Sequence, residues 1–182
     1  GPYLEGAPGS PALDGVPLFR APGARAEPWM GEVRGELRDR DGDAGAAHAR
    51  VRVFVADNPP ATGFADASGR FLVVPPLPSL RPFPGGSPGV GPSPDPGLRS
   101  LAAGAWPVAL EVLWEPGVQR RLRGTASPDL DSLFAQGPAE VWSEAAASPA
   151  STWGGELRYG VPLVARSPGA SELLVRAAVT SP

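Results

Sequence analysis

The chain has 182 residues, of which 42% are hydrophobic, with 24 Gly, 25 Pro and a formal net charge of −3. That length fits one domain, or one domain with extensions, and carries enough apolar side chain for a core. The mild, interspersed charge excludes an extended phosphate-binding surface, so nucleic acid is not expected as a partner. No apolar run approaches the ~20 residues that span a bilayer, so a membrane-spanning chain is not expected either.

Cysteine is absent, which removes disulfides and thiolate chemistry. All 16 basic residues are Arg, and Lys and Ile do not occur. The codon bias of a GC-rich bacterial genome accounts for this. It also accounts for the single Asn58 and single Met30, features that fit a heat-adapted protein equally well. The opening Gly1-Pro2-Tyr3-Leu4-Glu5 is not a signal peptide, and Gly1-Pro2 fits a protease scar. A targeting segment ahead of it is therefore compatible with the sequence.

In chain order, residues 1–28 form an arm rich in Pro, Gly and Ala. Its one apolar piece is Gly15-Val16-Pro17-Leu18-Phe19, either a strand laid on an edge or a mobile terminus. Residues 29–124 are expected to hold a β-sandwich core. Residues 32–38 alternate with Val33, Gly35 and Leu37 inward, the pattern of a half-buried antiparallel strand. A turn cluster follows at 39–45, then a second alternating strand at 50–55 with three valines on one face. Residues 62–77 read as a β-hairpin around the turn Asp66-Ala67-Ser68-Gly69, where Gly69 supplies a positive φ. Phe71 and Val73 face one side, Leu72 and Val74 the other, and Pro75-Pro76 ends the strand.

Residues 78–103 are a Pro-rich insertion, and nine of residues 75–96 are proline. Such a segment is neither a helix nor a central strand. It is either a solvated loop or a partner-binding and assembly loop whose polyproline character, Phe83, Arg81 and Arg99 supply the contact. Residues 105–115 make the strongest strand, with Trp106, Val108, Leu110, Val112 and Trp114 on one face. Pro107 suggests an edge, or a position that needs no ladder donor. Residues 118–123 are expected to return as its hairpin partner, with Arg120, Arg121 and Arg123 on the wet side. Residues 125–182 complete the domain with short helices and closing strands. Ser127 and Pro128 read as the cap and first residue of one helix, and residues 139–147 as a second helix carrying Trp142. Residues 157–161 and 173–179 read as closing strands.

These elements predict a mainly β fold, an antiparallel sandwich of about seven strands with long Pro/Gly loops and one or two short helices. The predicted core is Val33, Leu37, Val51, Val53, Val55, Phe71, Val73, Trp106, Val108, Leu110 and Val112.

Three motifs set this core beside a known family. Gly35-x-Leu37-x-Asp39-x-x-Gly42 ends the first strand, Ala49-x-Val51-x-Val53 opens the second, and Asp66-x-x-Gly69-x-Phe71 forms the next turn. Together with the stretch from Gly104 to Leu110, where Trp106 replaces a tyrosine, they resemble the carboxypeptidase regulatory-like family over residues 31–117. The departures are a longer 43–48 segment without its Pro-Leu, and the 79–103 loop. The resemblance implies a small prealbumin-like or Ig-like sandwich, extracytoplasmic (periplasm or cell surface) and non-catalytic, attached to larger surface or secreted proteins.

Little in the sequence points to catalysis. His48 is the only histidine, and no nucleophile-elbow motif accompanies it. One histidine without cysteine cannot make a zinc site. Asp39, Asp41 and Asp43 resemble the start of a Ca²⁺ loop, although the glycine follows the second Asp and no closing Glu is present. A solvated turn explains them as well. No other cofactor is expected. The expected function is a non-enzymatic structural or protein–protein interaction module of a bacterial envelope or surface assembly. Its expected partners are other envelope proteins or neighbouring copies. The alternative is a carbohydrate-binding module that stacks sugars on Trp142, Trp153 and Tyr159.

Overall fold

A computed structural model describes residues 19–24, 30–42, 44–77, 104–121, 123–125, 127–142 and 148–177. Among these, the fold is mainly β, with two sheets that are mostly antiparallel. The strands are β1 (Val33–Asp39), β2 (Arg50–Val55), β3 (Ala61–Phe64), β4 (Arg70–Val73), β5 (Ala105–Leu113), β6 (Ala139–Val141), β7 (Trp153–Arg158), β8 (Leu163–Ala165) and β9 (Leu173–Ala177). One short helix, α1 (Leu130–Phe134), precedes β6.

The first sheet runs β4-β1-β9-β6, and the second β3-β2-β5-β7. β1 has β4 antiparallel on one side. Two strands share its other side. Val33 to Gly35 pair in parallel with β8, and Leu37 to Asp39 pair in parallel with β9. β8 and β9 are thus one interrupted line, broken by the excursion 166–172. Ser167 ties that excursion down. Its buried hydroxyl donates to the Trp142 carbonyl and accepts from the Leu174 N–H.

The alternation seen in the sequence explains the core. β2 buries Val51, Val53 and Val55, and β5 buries Val108, Leu110 and Val112 on the matching face. β1 adds Val33 and Leu37, and β4 adds Phe71 and Val73. One cluster joins these to Trp153, Leu157, Leu173 and Val175, so both sheets share a single core. Every predicted core residue belongs to it, with Trp106 only partly buried at its margin. Burying each such Val or Leu contributes about 1.5–3 kcal/mol relative to exposure.

Several expectations need correction. Residues 62–77 are not a hairpin: β3 pairs with β2 and β4 pairs with β1, so the Asp66 turn is a corner between the sheets. The local turn chemistry is as expected, but turn chemistry does not say which neighbour each flank will find. β5 is an inner strand between β2 and β7. Pro107 is tolerated because pairing with β2 stops at Val108, leaving Pro107 a neighbour on the β7 side alone. The described residues of 118–123 form no strand. The chain makes a single 3₁₀ turn at Pro116–Val118, and Arg121 forms an isolated bridge to Pro128. The first helix starts two residues later than expected, with Asp129 as its cap accepting from the Ser132 N–H at 2.9 Å. Residues 139–141 form β6 against β9 rather than opening a helix, because the exposed backbone edge of β9 offers them a ladder. With the short β3, β6 and β8, the described residues hold nine strands instead of seven. The insertion at 78–103 lies outside the described residues. No helix among the described residues is long and apolar enough to cross a membrane.

Candidate functional site

The acidic turn after β1 lies beside Trp142, which follows β6. Asp39 is the last residue of β1, and its carboxylate accepts the Asp41 N–H at 3.2 Å. Asp41 faces Arg176 of β9 at 3.9 Å. Arg176 also grips Glu140 through two donors, at 2.6 and 3.0 Å. Arg176 lies over the Trp142 ring at 5.2 Å, and Arg40 over it at 4.0 Å. Two cations thus lie on one indole, and Asp41 and Glu140 both pair with Arg176. Asp43 lies outside the described residues. Among the described residues, no group of three His, Cys, Asp or Glu could hold a metal ion. Asp39 and Asp41 serve a turn and an ion pair.

The three aromatics assigned to sugar stacking are placed differently from that expectation. Trp142 is 5% exposed and Trp153 6% exposed. Trp153 packs in the core and donates its indole N–H to the Arg166 carbonyl at 3.0 Å. Tyr159 is half-buried in the turn after β7. The two indoles are therefore almost fully buried, with Trp153 showing only a small part of its surface to a neighbouring cleft. The exposed-aromatic expectation fails for them because Arg40, Arg176 and the 166–172 excursion cover what the sequence leaves bare.

His48 sits at a positive φ of 58°. Its N–H donates to the Asp66 carbonyl at 3.3 Å and its carbonyl accepts from Gln136 at 3.0 Å. Burial, with the Arg121 charge, pulls its pKa below the ordinary histidine value, against an opposing pull from Asp66. Gln136, almost fully buried, is a residue the sequence reading missed. Its amide donates to the carbonyls of His48 and Leu133 and accepts from the Glu115 N–H and from Gln119. It ties the 114–137 excursion to the sheet corner. The breakers Gly137-Pro138 after it mark the excursion's end, but nothing in the sequence marks its partners.

Two open clefts lie along β8. One, of about 650 Å³, is bounded by Trp153, Gly154, Val164, Arg166 and residues 167–171. The other, of about 250 Å³, lies across Val164 between Pro22, Arg34 and Arg70. Both were missed in sequence, where Ser167-Pro168-Gly169 signals only a turn.

Phe83, Arg81 and Arg99 lie outside the described residues, but the points where their segment leaves and rejoins the body are described. A Cβ on Gly31 would fall 2.7 Å from Leu157 and 3.1 Å from Leu77. Leu157 pairs with Trp106. Leu77 and Trp106 therefore flank the same spot, and the segment departs from and returns to one end of the two-sheet body.

No family model matches the chain, and no curated protein sequence matches it. Among solved structures it is similar to a 9R-lipoxygenase from Cyanothece, at 13% identity and a TM-score of 0.32, over 79% of this chain. The chain spans 17% of that structure's length. A likeness this slight carries no argument about fold or function.

Proposed function

We propose that the chain is a non-catalytic prealbumin-like or Ig-like β module that acts by protein–protein contact in a bacterial envelope or surface assembly, with residues 78–103 as the contact segment. The observation that carries this reading is the departure and return of the segment at one end of the body, beside Gly31 and Leu157. The core cluster includes residues on both sides of the two points of attachment. Proline-rich sequence favours extended backbone, which lowers the entropy lost on docking. The segment's few charges, Arg81, Asp95 and Arg99, favour apolar and polyproline-type contact.

The resemblance to the carboxypeptidase regulatory-like family supports the same reading. The Asp39 to Gly42 turn follows β1, buried Ala49 precedes β2, the Asp66 to Gly69 turn opens β4, and Gly104 precedes β5. The extracytoplasmic location and the partners, larger surface proteins or neighbouring copies, follow from that resemblance.

The test replaces residues 79–101 with a short Gly-Ser linker. Loop length alone changes stability little, roughly 0.6 kcal/mol per doubling. The melting temperature should stay within a few degrees, while self-association by light scattering and capture of envelope proteins disappear. A shortened protein that unfolds, or that associates as before, defeats the reading.

A further inference from the structure

An aromatic cluster stands outside the core at the edge of the second sheet. Phe64 of β3 points away from the core, since its neighbours Gly63 and Ala65 are the buried ones. Phe19 meets it edge-on with ring centroids 4.6 Å apart, and Phe134 of α1 meets it edge-on at 5.5 Å. Arg50 lies 4.8 Å over the Phe134 ring. Despite this packing, Phe134 and Leu130 are each 38% exposed. They are four residues apart on one helix face. β3 itself is the outermost strand, paired among the described residues with β2 alone. An unpaired edge beside exposed apolar side chains invites pairing with other chains unless it is covered.

We propose that Val16, Pro17 and Leu18 of the same chain cover it, docking on Leu130 and Phe134 so that the N-terminal arm is an intramolecular strap. Phe19 is already seated in the cluster, and the chain outside the described residues ends one peptide bond before it. The direction is set as well. Pro22 lies in the cleft beside Arg34 and Arg70 of the first sheet, and Phe19 lies on the second. Traced backward, the chain crosses from sheet to sheet and reaches Phe19 next to α1. A proline at position 17 disfavours helical backbone for the residue before it and brings no N–H to be left unpaired. Three extended residues reach ~10 Å, more than the ~6 Å that separates side chains one helical turn apart. Tethering gives the arm an effective concentration in the millimolar range, ahead of any free competitor.

The absence of native cysteine makes the test direct. Leu18→Cys is combined with Leu130→Cys, and separately with Val161→Cys. Val161 lies beyond Arg158, which pairs with Ala105 at the far end of β5, ~25 Å from the Leu113 end where Arg50 and Phe64 sit. A short bismaleimide at low protein concentration should link the first pair within one chain and leave the second unlinked. Equal yields for both pairs, a linked dimer, or no link in the first pair would each overturn the proposal, the dimer by assigning the patch to a second copy. Independently, Leu18→Asp should raise the fluorescence of an apolar-surface dye several-fold with an unchanged far-ultraviolet spectrum. Unchanged dye binding would also count against the strap.

Discussion

Gly69 is the residue on which the corner between the sheets depends. Its φ is +89°, and a Cβ there would lie 2.3 Å from the Leu37 carbonyl. The Leu37 N–H in turn donates to the Gly69 carbonyl at 2.9 Å. Backbone strain of this kind costs about 1–3 kcal/mol by itself, and the clash with rigid backbone adds to it. Gly69→Ala should therefore lower the urea midpoint by more than strain alone would, and an unchanged midpoint would mean the corner relaxes freely. Asp66 prepares the same turn by accepting from the Ser68 N–H, the Ser68 hydroxyl and the Arg70 N–H at 2.7–3.0 Å. This was legible in sequence because all the partners lie within four residues. The contact between Gly45 and the Ser68 carbonyl was not, although a Cβ on Gly45 would fall 2.2 Å from that oxygen. The covering of Trp142 by Arg40 and Arg176 was equally hidden, since each comes from a different strand's end.

Alternation was the legible signal at the level of elements. β1, β2 and β5 follow it within a residue or two, and Leu110, fully buried at the centre of β5, is its clearest product. Leu110→Ala should cost on the order of 2–5 kcal/mol in chemical denaturation, and a cost near zero would place it outside the core. Pairing was less legible than alternation. The flanks of the Asp66 turn go to different sheets, and β6 and β8 are three-residue strands defined by β9 and β1 rather than by their own periodicity. The 114–137 excursion shows the same dependence on distant partners. Gln136 holds it by bonds to Glu115, Gln119, Leu133 and His48. Gln136→Ala leaves buried backbone groups unpaired at about 1–3 kcal/mol. Denaturation should show that loss, together with faster amide exchange across residues 114–137. Unchanged exchange there would mean the excursion is held by other contacts.

Across the whole molecule, the corner joins both sheets and carries its two perturbed side chains, which ties global stability to pH. His48 and Asp66 meet there, with the His48 N–H on the Asp66 carbonyl. Burial and the Arg121 charge lower the His48 pKa below 6.5, so the folded protein takes up that proton less readily than the unfolded chain. Its contribution is complete above the unfolded value and is lost as pH falls through the folded one. Asp66 acts in the same sense. Burial alone pushes its carboxyl up, but the Ser68 side chain, the Arg70 and Ser68 N–H groups and the Arg70 charge together outweigh it and hold the carboxyl below 3.8. Its contribution is present above that value and disappears on further acidification. Stability should therefore fall in two stages, a shallow one below about pH 6.5 and a second below about pH 4. His48→Asn separates them, because Asn tolerates the positive φ at this position without titrating. The variant should keep the wild-type melting temperature near neutrality, lose the first stage and retain the second. A variant that still weakens between neutrality and about pH 5 would show that the first stage belongs to other groups.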